Sequence, residues 1–260
     1  MYEFWAALWD PSLPFLRYAL FAGVLASVPL GVTGSYVVAR RISYLAGAIA
    51  HCTLGGIGAA LYVQYRFGLQ SVTWLPMLGA LIQAVAAALI VGVVSLRGRE
   101  REDTIIGAVW ALGMAQGLLF LARTPMAMDP MSYLFGNILF VSRADLALMG
   151  GLAVVTVTLA WLFHSKLVAV CFDEEFARLR GIRVEAYFLL LLCLTAFTVV
   201  MLIRVVGIVM VIALLSLPAA TAGHLSRRML GMMGGAVAVC AAANTVGLAL
   251  SYRYEMPSGA

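Results

Sequence analysis

Eight long apolar runs, parted by short clusters of charge, constrain this chain more than any other feature. They fall near residues 16 to 39, 44 to 65, 75 to 96, 104 to 122, 145 to 164, 186 to 203, 205 to 222 and 229 to 252. A helix needs about 20 mostly apolar residues to cross a hydrocarbon core about 30 Å thick, and each run is of that order. The runs are continuous and rich in Leu, Val, Ala and Gly, without the alternation of a membrane β-strand. The expected fold is all-α, a polytopic transmembrane helix bundle forming a single domain over residues 1–260. With 63% of the residues hydrophobic, 11% charged and a mean hydropathy of +1.00, no soluble domain of any size can be accommodated.

Charge gives the bundle a direction. The net charge is +5, but the basic residues sit between apolar runs, where they orient helices, so nucleic acid is not an expected partner. With the N-terminus outside, the inner loops hold Arg40, Arg41, Arg97, Arg99, Arg101, Lys166, Arg178, Arg180, Arg183, Arg227 and Arg228. The outer side keeps Arg17, Arg66, Arg123, Arg143, Arg204 and Arg253. Eleven of the 17 Lys and Arg against six favour that orientation. Glu3, Asp10 and Arg17 ahead of the first run do not make the basic start of a cleavable signal, so the first helix is expected to be retained. Cys52, Cys171, Cys193 and Cys240 show no CxxC spacing and read as small packing residues.

Between Ala186 and Ala222 a single charge, Arg204, interrupts the apolar pattern, and one helix of that length would overrun the bilayer. A tight reversal from Arg204 to Gly207 is the simplest solution, with Gly207 supplying backbone freedom and Arg204 reaching the outer interface. The turn reads either as an ordinary helical hairpin or as part of a moving gate. The outer loop from Arg123 to Arg143 contains a semi-apolar stretch, Met131 to Leu139, too short to span, which is expected to dip in from the outer face and to bring Asn137 toward a pathway. In the inner loop from Lys166 to Glu185, Asp173, Glu174 and Glu175 precede Phe176, Arg178 and Arg180, and Gly181 follows. That order predicts a short helix whose charges complement its own dipole.

No GxxxxGK[ST] phosphate loop, HExxH metal helix or GxSxG elbow occurs, so no catalysis is expected from the chain itself. His51 lies about 12 Å inside the second run, near the midplane. Gly47, Gly55 and Gly58 share its helical face, so the imidazole points at a close-packed helix or an open pathway rather than at lipid. It serves either as a ligand on a pathway or as a histidine satisfied by an interhelical hydrogen bond. Asp103 and Thr104 read as a helix cap, and Met126, Met128 and Met131 around Asp129 as loop packing. Gly113 with Gly117, and Gly231 with Gly235, have the spacing of close helix contacts, while Pro29 and Pro218 are expected to kink their helices.

Six landmarks in order resemble the membrane permease subunit of the bacterial ABC importers for zinc, manganese and iron, the ABC-3 permeases. They are Arg40 to Leu45 leading into Ala50 and His51; Asp103 to Gly107; Tyr133 to Leu139 with Val141, Ser142 and Asp145; Asp173 to Ala177 with Gly181 and Ile182; Val205 to Gly207; and Leu217 to Ala222. The resemblance covers nearly the whole chain. It implies a type II importer-like permease in the bacterial inner membrane, paired as a homodimer with the pathway at the dimer interface. It also implies two cytoplasmic ATPase subunits that bind and hydrolyse ATP, an extracytoplasmic protein that delivers the metal, and no permanently bound cofactor. The segment from Asp173 to Ile182 resembles the coupling helix seated in a groove of the ATPase, and His51 is expected to be a transient contact for a divalent metal ion as substrate.

Two departures bear on that expectation. Family members usually carry Gly-Asp four to five residues before the histidine, where this chain has Ala46 and Gly47, so the route holds less negative charge for a cation. Family chains also continue past a Pro-Ser-Gly motif, here Pro257 to Gly259, into one more apolar span, and that span is expected to be missing after Ala260. The alternatives are a permease for a metal chelate or other small solute, and an ATPase-independent channel or carrier.

Overall fold

The computed structural model describes residues 8, 14–69, 71–72, 74–97, 102–125 and 141–254. Among them are ten helices and no strand. In chain order these are α1 (Pro14–Ala39), α2 (Ser43–Phe67), α3 (Leu75–Arg97), α4 (Glu102–Ala122), α5 (Arg143–Leu162), α6 (His164–Phe172), α7 (Glu174–Leu179), α8 (Val184–Val206), α9 (Ile208–Leu225) and α10 (Met229–Tyr254). Eight are long and apolar enough to cross a membrane, each within a few residues of the run that predicts it. The protein is a multi-pass membrane helix bundle.

Residue chemistry sets the ends. Ser142 and Asp145 form a reciprocal capping box at the start of α5, with Asp145 N–H donating to Ser142 Oγ at 3.1 Å and Ser142 N–H to Asp145 Oδ2 at 3.0 Å. Helix α4 begins at Glu102, so Asp103 lies inside its first turn and not ahead of it. The break between α8 and α9 falls at Gly207, whose φ of 85° is open to glycine. Its N–H still bonds Ile203 O at 2.8 Å and its carbonyl accepts from Val211 at 3.1 Å, so the chain changes helix without orphaning the peptide groups of that residue. The inner loop differs from its sequence reading. Residues His164–Phe172 form a further helix, because Leu167, Val170 and Cys171, at helical spacing, are buried together.

The chain divides into two compact units. The first comprises Met1–Ala39, Met131–His164 and Met201–Ala260, and the second Arg40–Pro130 and Ser165–Val200. In the first unit α1 is central, packing on α5, α9 and α10. A methyl group at Gly31 would stand 2.6 Å from Val237 Cγ2, and one at Gly34 would collide with the Leu215 carbonyl. Asn244 of α10 closes this seam, its amide donating to Gly23 O at 3.0 Å and Ser27 Oγ at 3.1 Å on α1.

In the second unit α2 is central, packing on α3 and α4, and is the most buried of the spans. A methyl at Gly55 would lie 2.7 Å from Gly113 O, and one at Gly58 2.7 Å from Gly117 O, so the two glycines of α4 receive α2 at backbone distance. Gly56 meets Gly79 of α3 in the same way.

Candidate functional site

The glycine face of α2 that brings α4 so close also presents His51 to it. The imidazole lies flat on the Trp110 indole, with ring centroids 4.4 Å apart and planes 12° apart. Tyr44, two turns earlier on α2, approaches the same indole at 5.9 Å and 46°. The indole N–H donates to Met114 Sδ at 3.1 Å. Trp110 is thus held by its own helix and by Tyr44, and in turn orients the histidine.

His51 is half-buried, and its Nδ1 is buried without a hydrogen-bond partner among the described residues. An unmet buried polar atom costs about 1–3 kcal/mol, and a ligand bound there would relieve it. Next to it, Gln83 of α3 donates to Cys52 Sγ at 3.4 Å and to Gln116 Oε1 of α4 at 3.3 Å. The buried Cys52 thiol, the half-buried Gln83 and the exposed Gln116 thus link α2, α3 and α4. No group of three His, Cys, Asp or Glu side chains that could cage a metal occurs among the described residues. What α2 offers a cation is one imidazole nitrogen without a partner among the described residues, on a ring stacked against Trp110. Ala46 and Gly47, where a carboxylate would have stood, are both buried.

The second predicted site is a helix of a different kind. Asp173 caps α7, its Oδ1 accepting from Phe176 N–H at 2.9 Å. Gly181, at φ 73°, ends the segment, with Ile182 N–H returning to Ala177 O at 3.0 Å. Ala177 alone is buried in α7. Phe172, Phe176 and Leu179 are 67%, 47% and 87% exposed, and Arg180 lies over the Phe176 ring at 4.7 Å. Glu175 points to solvent, Arg178 pairs with Glu185 at 2.9 Å, and Glu174 turns inward to an ion pair with Arg40. Burial pushes the nearby Cys171 thiol up to about 12, with the charge of Arg40 pulling the other way.

The remaining predicted residues are less informative. Asn137 lies outside the described residues, as do the three methionines and Asp129 of the outer loop. Arg204 belongs to α8 by its backbone, three residues before the break at Gly207. Trp110, Gln83, Gln116 and the Arg40–Glu174 pair escaped the sequence reading. A signal existed for the first three, since an indole and two amides inside long apolar runs are costly unless they meet something.

The model of the ABC 3 transport family matches residues 12–260. A probable metal transport system membrane protein of Chlamydia muridarum is 37% identical over 95% of this chain and 83% of its own length. A manganese transport system membrane protein of Listeria monocytogenes is 32% identical over 95% of this chain and 85% of its own length. Among solved structures, PsaBC from Streptococcus pneumoniae in complex with Fab superposes with a TM-score of 0.84 at 27% identity, covering 99% of this chain and 89% of that one.

Proposed function

The chain belongs to the ABC 3 transport family, and on that premise we propose that it is the membrane permease subunit of an ATP-driven importer for a divalent first-row metal ion. The observation that carries the reading is His51, a buried imidazole nitrogen with no described partner, held in orientation by Trp110 on the most buried span of the chain. One neutral imidazole binds such a cation without trapping it, as a transit contact must. The names of the relatives support a metal, and manganese and zinc are the cations to try first.

The permease works as a homodimer with its N-terminus outside, between an extracytoplasmic metal-binding protein and separate ATPase subunits that hydrolyse ATP. The exposed Phe176 and Leu179, flanked by Glu175, form the face that docks the ATPase. Asp173 and Gly181 fix the ends of the docking helix, and Arg178 braces it on Glu185. Gly207 serves as the swivel between α8 and α9, and Arg204 and Asn137 belong to the pathway or its gate. The absence of a carboxylate at Ala46 and Gly47 favours, as a second reading, a cargo that brings its own ligands, such as a metal chelate.

The test is uptake into vesicles containing this chain with its ATPase and delivery protein. Manganese or zinc accumulates with ATP, and His51→Ala slows accumulation about tenfold or more without loss of assembly. Unchanged uptake in His51→Ala removes the histidine from the mechanism, and uptake of a chelate in preference to either free ion moves the assignment to the second reading.

A further inference from the structure

The turn between α1 and α2 is three residues long and is strained. Arg41 has a φ of 63°, the only positive value at a non-glycine residue among the described residues. An L side chain adopts that conformation where its surroundings impose it. Helix α2 then starts at Ser43 with Ile42 as its cap residue and no side-chain cap. The amino end of the helix that carries His51 thus closes on the Ile42 carbonyl alone, with Tyr44 of its first turn resting against Trp110.

What holds the turn is the residue before Arg41. Arg40 opens the second unit. Its guanidinium pairs with Glu174 of α7, sits over the Phe188 ring of α8 at 5.2 Å, and is felt by the Cys171 thiol of α6. The pair is partly sheltered, its side chains 25% and 31% exposed, and Arg40 Nε is buried without a partner among the described residues. The segment's other ion pair among the described residues, Arg178 with Glu185, is more than half exposed and ties it to α8. It is therefore screened more and leads away from α2.

We propose that Arg40, through Glu174, is the positioning residue that joins the α7 segment to the amino end of α2, so that displacement of the segment is delivered to the helix bearing His51. A helix packed at backbone distance on α3 and α4 moves as a body. A shift at Ser43 is thus felt about 12 Å further along, at the imidazole. Glu174 is the charged residue of α7 that turns toward Arg40, and Phe176 and Leu179 are outward, which separates docking from transmission.

The proposal rests on the reading of the 173–182 segment as the ATPase docking site. The experiment uses the full complex in vesicles and measures ATPase copurification, ATP hydrolysis and manganese or zinc taken up per ATP. Arg40→Glu, Glu174→Arg and Glu174→Gln are expected to keep the ATPase bound and to lower uptake per ATP at least about tenfold for the charge reversals and about threefold for Glu174→Gln. The double exchange of Arg40→Glu with Glu174→Arg restores uptake per ATP to within about twofold of the original. Should a reversal prevent accumulation of the protein, Glu174→Gln decides. Copurification that survives scrambling of residues 173–182 sinks the docking reading and this proposal with it. Copurification lost on scrambling, with Glu174→Gln at full uptake per ATP, leaves docking standing and overturns the role of the pair.

Discussion

The α1 seam of the first unit and the α2 seam of the second are built alike and finished differently. Each lets a central helix approach its neighbours at backbone distance through glycines, Gly31 and Gly34 in one, Gly55, Gly56 and Gly58 in the other. Among its polar side chains, each carries one that reaches a neighbouring helix from an apolar setting. In the first, buried Asn244 donates its amide N–H groups to a backbone carbonyl and to a serine hydroxyl on α1, while its Oδ1 has no partner among the described residues. In the second, His51 stacks on Trp110, is only half-buried, and leaves Nδ1 unmet among the described residues. The first polar group ties helices together, as interhelical amides do in membranes. The second is held to its neighbouring helix by a stacked ring and not by a hydrogen bond, which leaves an ionisable, metal-ligating nitrogen free for something else to bind.

The largest effect tests the shared part of the comparison. Gly56→Leu drives a side chain into the Gly79 carbonyl, and Gly34→Leu does the same to Leu215. Both are expected to lose the folded protein from the membrane, since overpacking against backbone costs about 1–3 kcal/mol even for small insertions and cannot be relieved by a rotamer change. Gly234→Ala and Gly151→Ala, where an added methyl meets nothing within 4 Å, keep or raise the melting temperature in detergent, because alanine is about 1 kcal/mol the better helix former. A melting temperature for Gly56→Leu within a few degrees of the original would mean that the seam is not the packed element it is taken for.

How much of this was legible in the sequence follows from the range of each signal. The eight spans could be read because about 20 apolar residues and a flanking charge are a local pattern. The glycine face around His51 could be read because helical periodicity is local too. The partners could not. Trp110 lies on another helix, and Arg40 and Glu174 are 134 residues apart, so no periodicity within one run connects them. Helix α6 was not legible, because Lys166 has the charge that ends a span, whereas the buried stripe of Leu167, Val170 and Cys171 runs on past it.

The next effect separates the two polar residues. His51→Ala is expected to reduce metal uptake about tenfold or more while leaving the melting temperature nearly unchanged, because it removes a group that contributes few bonds. Asn244→Ala is expected to do the reverse. It loses its amide contacts to α1, which are worth about 0.6–1.7 kcal/mol in a membrane, and it leaves uptake per folded complex as it was. Thermal unfolding and vesicle uptake on the same two proteins read both quantities. If the two variants give the same pattern, the seams do not differ in kind.

The smallest effect concerns how His51 is held. A stacked aromatic pair is worth about 0.5–1.5 kcal/mol beyond the area it buries, equivalent to about two- to tenfold in an equilibrium. Trp110→Ala removes the plate under the imidazole and releases its ring to other rotamers, so the metal concentration for half-maximal uptake is expected to rise by that factor, with the maximal rate altered less. Trp110→Phe keeps a flat face against His51, loses only the bond to Met114 Sδ, and is expected to stay within about twofold of the original. If the indole were a plug in the path and not a support, Trp110→Ala would instead raise the maximal rate or let metal pass without ATP. The sign of that one change decides whether the stacked pair is a binding surface or a barrier.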